Sequence, residues 1–425
     1  MSLRAIKVML LPNNFQETRL FQYSGVSRFA YNWALEKEME SLKNGKGFIS
    51  DSDLRKEFTL LKRQKEYAWL NNVSNDVPKQ AIKDLISAYL RYFKLRKQKG
   101  YKPYSKKQIE HAKRIGKTLT EYDKKYHPKF KSKKDKQDYS FYNDTGKLEV
   151  KERAVRISAL LKYGRKERQA KKSFIKLAER NRIPIDSKYK NPRITYDGIH
   201  WWISVAVEIE RTNLKLSTTK SKGVGIDMGV KDLAIVSDKT KYANINKTEV
   251  VRKLEKRKRR LQRQVSRKYS LNKKGESYQK TRNIEKLEKK LLKLDQRLAN
   301  IRHNYRLQVV NKIVNQNPKF ICIEDLNISG MMKNKHLAKA IQNQGLSEMR
   351  RIITHKSNDN DIPLIIADRY FASSKICNCC GQVKKNLKLS DRTYRCDYCG
   401  YTEDRDINAS DNLEDYGEQH LKSSL

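Results

Sequence analysis

Cysteines and carboxylates are the residues of this chain whose types and spacing could do chemistry. KICNCCG and RCDYCG supply Cys377-x2-Cys380 and Cys396-x2-Cys399, with fifteen residues between the pairs. Each pair closes a tight turn that aims two sulfurs at one ion, so the two knuckles together make a tetrahedral four-thiolate zinc site. Gly381 and Gly400 follow the second cysteine of each pair, where the knuckle needs an unhindered backbone. Cys379 is a fifth thiol that breaks the spacing. The plain role of such a ribbon is to staple a segment that has almost no core, a role compatible with its also touching nucleic acid.

The acids come next. Asp227 ends the small and apolar run VGID, Glu324 ends FICIE, and Asp406 stands in DRDINAS, where INASDNL can begin a helix. Any one of them alone reads as a strand-end residue meeting solvent. All three, on a strongly cationic chain, supply the hard oxygen ligands that two magnesium ions need. Such a pair, ~4 Å apart, stabilises both the attacking and the leaving oxygen of a phosphodiester. Asp325, next to Glu324, reads as a structural neighbour.

Charge narrows the substrate. Of 425 residues, 94 are Lys or Arg against 48 acids, a formal net charge of +46. One charge run is usually a solvated helix face, but here the excess spreads over nearly the whole chain. The expected partner is nucleic acid, with an anionic membrane surface as the weaker alternative. No apolar stretch approaches the ~20 residues of a spanning helix. The N-terminal block VMLL is too short for the core of a signal peptide, and the cysteine distribution fits a metal site, so the expectation is a cytoplasmic protein with no membrane partner.

These residues need elements to hold them. LRAIKVMLL reads as a strand stopped by Pro12, with Asn13 and Asn14 offering a helix cap. Phe15 to Leu95 has helical periodicity, and its aromatics Phe29, Tyr31, Trp33, Tyr92 and Phe93 are expected to pack helices rather than stack on bases. Lys97 to Lys136 is lysine-rich and poor in aliphatics, either an extended nucleic-acid contact or a disordered insertion. Alternation then predicts a small antiparallel sheet or barrel from Tyr139 to Glu210, with a turn at Asp197-Gly198 and an inserted basic helix over Lys162 to Asn181. GVGIDMGVKDLAIVSD predicts two strands around a glycine-containing turn. A long basic helical region, about 250–314, breaks near SLNKKGES. In its second half Ile284, Leu287, Leu291, Leu294, Leu298, Ile301 and Tyr305 form a seam for a helical hairpin.

GIDMGVKDLAIVSD, IEDLNISGMMKNKHLAKAI, the paired knuckles and DRDINASDN, in this order, resemble the TnpB (OrfB) proteins of insertion sequences, relatives of type V CRISPR effectors. The resemblance is specific over Gly223 to Leu413 and weaker in MLLPNN, TLLK and KFKSKK. It implies a mixed fold, α/β plus β-barrel and helical domains. A wedge-like β-barrel (1–12 and 125–220) would carry an inserted helical recognition domain (13–124). An RNase H-like RuvC nuclease domain (221–374 and 402–425, helical hairpin 250–314) would carry the zinc ribbon (375–401), which binds target nucleic acid. On this resemblance Asp227, Glu324 and Asp406 match the catalytic acids that hold two Mg2+, and Cys377, Cys380, Cys396 and Cys399 match the ligands of one structural Zn2+. SGMMKNKHLAKA would be a lid, and Lys79 and Gln80 are candidates for reading the motif that flanks the target.

The implied activity is that of a transposon's RNA-guided DNA endonuclease. It would act as a monomer on one guide noncoding RNA from the transposon end, against double-stranded target DNA. The alternatives are a nuclease-inactive RNA-guided DNA-binding regulator and a transposition accessory protein. The chain departs from the family where Arg302 to Gln308, RHNYRLQ, stands in place of a usual acid and histidine. It departs also at Ala372 and Ser410, and in residues 100–126, which look inserted.

Overall fold

The computed structural model describes residues 2–133, 139–163, 173–209, 221–275, 277–388 and 391–423. The chain divides into two compact units, Met1–Glu210 and Arg211–Leu425.

The first unit opens with strand β1 (Ser2–Leu11) and helix α1 (Asn14–Lys43). Asn13 caps the helix as its sequence suggests: its side chain accepts from Gln16 N at 2.9 Å, and the Gln16 side chain accepts from Asn13 N at 3.0 Å. Such a reciprocal box satisfies two helix-end donors that water would otherwise have to meet. Helices α2 (Asp51–Leu61), α3 (Asp76–Arg96) and α4 (Lys106–Arg114) follow. The strands are β2 (Ser140–Tyr142), β3 (Glu149–Lys151), β4 (Ala154–Arg156), β5 (Phe174–Leu177), β6 (Tyr189–Tyr196) and β7 (Trp201–Ile209).

Seven strands form one antiparallel sheet in the order β2-β6-β7-β1-β5-β4-β3. Strand β1 pairs with β7 from Ser2 opposite Ile209 to Leu10 opposite Trp201. Alternation decides the face: Val8 and Leu10 of β1, with Ile203, Val205 and Val207 of β7, are buried in one core with the helices. The predicted turn is present, with Gly198 at φ 96° and the Asp197 carboxylate accepting from Ile199 N and His200 N at 2.8 Å.

Two expectations are resolved differently from each other. The lysine-rich segment is folded as far as Lys133. His127 is buried against Tyr89, Tyr92 and Tyr122, and Tyr92 Oη donates to Glu121 at 2.7 Å. Residues 134–136 lie outside the described residues. The basic helix expected over Lys162 to Asn181 is not found in the described part. Residues 164–172 lie outside it, and Phe174–Leu177 is strand β5, held between β1 and β4 with Ile175 and Leu177 buried. The alternation in FIKL outweighs the helical pattern of the basic run before it.

The second unit contains strands β8 (Val224–Asp227), β9 (Asp232–Val236) and β10 (Lys241–Ala243), then helix α5 (Glu249–Leu271). A two-stranded turn, β11 (Lys273–Lys274) with β12 (Ser277–Tyr278), leads to helix α6 (Arg282–Asn315). Strand β13 (Ile321–Glu324) precedes short helices α7 (Ile328–Met331) and α8 (Ala338–Gln344), helix α9 (Leu346–Asp359) and strand β14 (Leu364–Ala367). Strands β15 (Thr393–Arg395) and β16 (Thr402–Asp404) run directly into helix α10 (Arg405–Ser423).

The sheet order is β10-β9-β8-β13-β14, with β8, β13 and β14 parallel. Both faces are covered, as parallel strands require. Ile321 and Ile323 face a core with Val309, Val310 and Ile313 of α6 and Met349 and Ile353 of α9. Phe320 and Cys322 face the other way, toward Leu413 of α10. The hairpin seam is present: Leu294 and Leu298 bury against Val251 and Leu254 of α5. Among the described residues, no helix is long and apolar enough to cross a membrane.

Candidate functional site

The parallel pairing of β8 with β13 sets Ile226 opposite Ile323. One residue further along each strand stand Asp227 and Glu324, so two acids separated by almost a hundred positions end on adjacent strands. The third arrives on a helix. Asp404 ends β16 and caps α10, its Oδ1 accepting from Asp406 N at 2.9 Å and Ile407 N at 3.3 Å. Asp406 therefore sits in the first helical turn, where the helix dipole favours a negative charge.

What lets that helix come close is Gly225. A Cβ there would lie 2.0 Å from the carbonyl oxygen of Ser410 and 2.5 Å from the amide nitrogen of Glu414, so the α10 backbone rests directly on the β8 backbone. Phe320 makes a second seat, with its ring wedged against Gly223 and Gly417.

The electrostatics record the convergence. Burial pushes the Asp227 carboxyl up to about 8, and the charges of Glu324 and then Asp406 push the same way, with Arg405 opposing them. A cluster of this kind favours either a proton or a cation. Ser373 Oγ donates to Glu324 and orients it. Asp325 is a structural neighbour, as expected: it accepts from Arg350 at 2.7 Å and also from Arg369, and these two hold its carboxyl below the ordinary range. Lys241 bonds Asp404 at 2.7 Å, and this and the backbone bonds outweigh the effect of burial and lower its pKa.

The cysteines form a tighter set. Sγ of Cys377 lies 3.6 Å from Sγ of Cys399, and Cys380 lies 3.6 Å from Cys396. Four sulfurs at zinc–thiolate distance on tetrahedral corners would be about 3.8 Å apart, so the donor set fits one such ion. Gly381 and Gly400 adopt φ of 75° and 72°, the left-handed turn that each knuckle requires. Backbone amides of Cys399 and Tyr398 pull the Cys396 thiol down to about 6. Among the described residues, these cysteines are the one set of three or more ligand side chains whose donor atoms all lie within 4.8 Å of one another. The three acids are thus neighbours, not yet a closed cage.

The two centres share a helix. Asn412 Nδ2 donates to Ser373 O at 2.7 Å and Ile376 O at 2.8 Å, and Asn408 Nδ2 to Ile376 O at 2.8 Å. The first knuckle is therefore stapled to α10, one turn from Asp406. Sequence reasoning missed Gly225, Ser373, Asp404, Asn408 and Asn412. Asp404 alone carried a readable signal, an acid just ahead of a helix start.

Lys79 and Gln80 part company. Both lie on α3, but Lys79 is exposed and lines a cleft of about 680 Å³ with Arg55, Lys62 and Arg63. Gln80 instead donates to Asp84 at 3.0 Å. In RHNYRLQ, Arg302 pairs with Glu255 at 2.7 Å, while His303 (2.7 Å) and Arg306 both meet Glu348. Three side chains from this stretch thus serve as ion-pair anchors between α6 and its neighbours.

Family profiles match three stretches of the chain. Residues 204–335 match one described as a probable transposase of the OrfB type, 347–413 a Cas12f1-like TNB domain, and 1–47 a helix-turn-helix domain of OrfB proteins. Over these stretches the chain is similar to the TnpB (OrfB) proteins.

Relatives align along nearly its whole length. A protein of Escherichia coli K12 provisionally named RNA-guided DNA endonuclease InsQ is 27% identical, over 97% of this chain and 91% of its own. One of Streptomyces pristinaespiralis, with the same provisional function in its name, is 26% identical over 96% and 88%. Among solved structures, a Cas12f1 bound to guide RNA and target DNA has the same fold. It is 14% identical, with a TM-score of 0.52, over 94% of this chain and 83% of that one. One profile description fits poorly: among the described residues 2–47 the chain has a strand and one long helix, with no helix-turn-helix.

Proposed function

We propose that this protein is the RNA-guided DNA endonuclease of a transposon, and that Asp227, Glu324 and Asp406 hold its catalytic cations. The observation that carries the reading is the meeting of these three side chains at one sheet end, with Gly225 admitting the helix that brings the last of them. The names of full-length relatives and a charge of +46 support it. On this reading unit 2 is a RuvC-type nuclease domain (221–374 and 402–425) with a zinc ribbon at 375–401. Residues 1–12 and 125–220 form the wedge and 13–124 the recognition domain. Guide RNA pairs with one DNA strand, and the protein holds the heteroduplex through backbone and shape.

When bound, two magnesium ions would activate water and stabilise the leaving oxygen. The residues of the chain do the rest. Asp227 and Glu324 present carboxylates from adjacent strand ends, Ser373 fixes the Glu324 rotamer, and Asp404 locks the first turn of α10 so that Asp406 faces them. Residues 329–340, exposed over 332–337, are the proposed lid. Cys377, Cys380, Cys396 and Cys399 hold zinc as a staple of the α10 end. Lys79, on an open basic cleft, is a better candidate for target-flank contact than Gln80, whose amide is engaged.

The test is to co-purify the protein with its RNA, sequence that RNA, and supply matched DNA with magnesium. Wild type should cut, and Asp227→Asn should fall below about one percent of that rate. Equal cutting by the variant would refute the site. RNA-dependent binding without cutting by wild type would instead support the regulator.

A further inference from the structure

One face of α1 lines a second cleft, about 660 Å³ in volume, whose chemistry the nuclease reading does not use. Gly25, Arg28, Phe29 and Trp33 come from the helix, and Trp69 and Phe130 come from other segments of the same unit. Trp69 is 43% exposed and Phe130 53%, a large apolar area left open for two rings lining one cleft. The rings beneath them are fixed in place: Phe29 lies edge-on to Trp69 with centroids 5.2 Å apart, and Trp33 edge-on to Phe58 at 5.1 Å. This is a preformed aromatic wall, not a loose patch.

Gly25 is the second, independent observation. It lies inside a thirty-residue helix, where glycine is destabilising relative to alanine. Packing does not demand it, since an added Cβ would meet no atom within 4 Å, and its φ is not left-handed. What glycine leaves is a bare floor beside the rings, on which something flat can lie.

The surroundings identify that occupant. Phe130 stands in Lys129-Phe130-Lys131, and no carboxylate occurs from Lys124 to Lys133. Asn32 of α1 grips this segment through both backbone groups of Lys131, donating to its oxygen at 2.9 Å and accepting from its nitrogen at 2.8 Å. Lysines alternating with an aromatic suit a single-stranded backbone whose bases are splayed out. Glu36, the one carboxylate of the lining, would repel phosphate and would accept from an amino group or a 2′-hydroxyl, and the latter favours RNA.

We infer that this cleft takes one unstacked nucleobase of the bound RNA. The inference rests on the RNA-binding part of the proposed function and assigns that RNA a contact outside the nuclease unit.

The experiment uses the full chain and a short unstructured RNA carrying one 2-aminopurine, in salt high enough to weaken phosphate contacts. Stacking on the rings should quench the fluorescence. Trp69→Ala and Gly25→Leu should each remove the quenching and weaken binding about 5- to 100-fold. Gly25→Ala should melt no lower than wild type, which shows that the fold does not need glycine here. Should Trp69→Ala fail to fold, Gly25→Leu decides alone. Undiminished quenching and affinity in a folded Gly25→Leu protein overturns the inference. So does a loss confined to DNA of the same sequence. Wild type separates the two readings: quenching without cleavage of matched DNA removes the nuclease and keeps the cleft, and cleavage without quenching does the reverse.

Discussion

At Asp227 a carboxylate is held among others of its own sign at the end of a buried strand, and a glycine two positions earlier makes the crowding possible. Gly225→Ala tests that arrangement. The added methyl would meet backbone, which cannot swing aside as a side chain can, so the variant should lose about 1–3 kcal/mol of stability or more. Cleavage should fall in the surviving folded fraction, because α10 and Asp406 are displaced. A wild-type melting curve and cutting rate would show that the helix does not depend on this contact. Of the candidate site residues, the four cysteines were legible in the sequence because ligand type and spacing are local properties, and Asp227 and Glu324 could be placed at strand ends because the apolar runs before them are short and continuous. Gly225 was not, because its reason for being glycine lies at Ser410 and Glu414, far along the chain. Nor could Lys79 and Gln80 be told apart, since the difference is a hydrogen bond to Asp84.

Helix α10 belongs to two structures at once, carrying Asp406 at its start and clamping the first cysteine knuckle through Asn408 and Asn412. Metal removal should therefore be felt beyond the ribbon. Chelation under reducing conditions, or Cys396→Ser, should lower the melting temperature and also slow DNA cleavage at saturating magnesium. Unchanged cleavage by zinc-free protein would separate the two centres. Helix α1 offers a pH test. Burial raises the Glu38 carboxyl from an ordinary 4.5 to about 7. Because the folded value is the higher one, the stability tied to the neutral form is complete below about 4.5 and is lost as pH rises through 7. Glu38→Gln should thus melt above wild type at alkaline pH by about 1–3 kcal/mol, with the gap closing toward pH 4. A gap that does not change with pH would exclude this cause. At this scale the helices and the hairpin seam were readable because their periods are long. Strand β5 was not, since four residues are too few to override the basic run before them. The order around His127 was hidden as well, because its partners Tyr89 and Tyr92 come from an earlier helix.

For the whole molecule the dominant fact is a charge of +46 spread over both units. Affinity for RNA should fall at least about 100-fold between 50 and 200 mM salt, as expected for six or more phosphate contacts. A titration showing less than about fivefold change would mean that the excess charge faces solvent and not nucleic acid. The strand order itself could not be read from the sequence, since β8 meets β13 only across a long helical crossover. That layout also sets a timetable for synthesis. Chains fold progressively as they leave the ribosome, and Asp227 and Glu324 can pair their strands before residue 405 has been made. The seat on Gly225 stays bare until α10 emerges. On the proposed reading, a nascent chain carries an incomplete acid set while still tethered near its own messenger RNA, and would become able to cut only once the last helix docks.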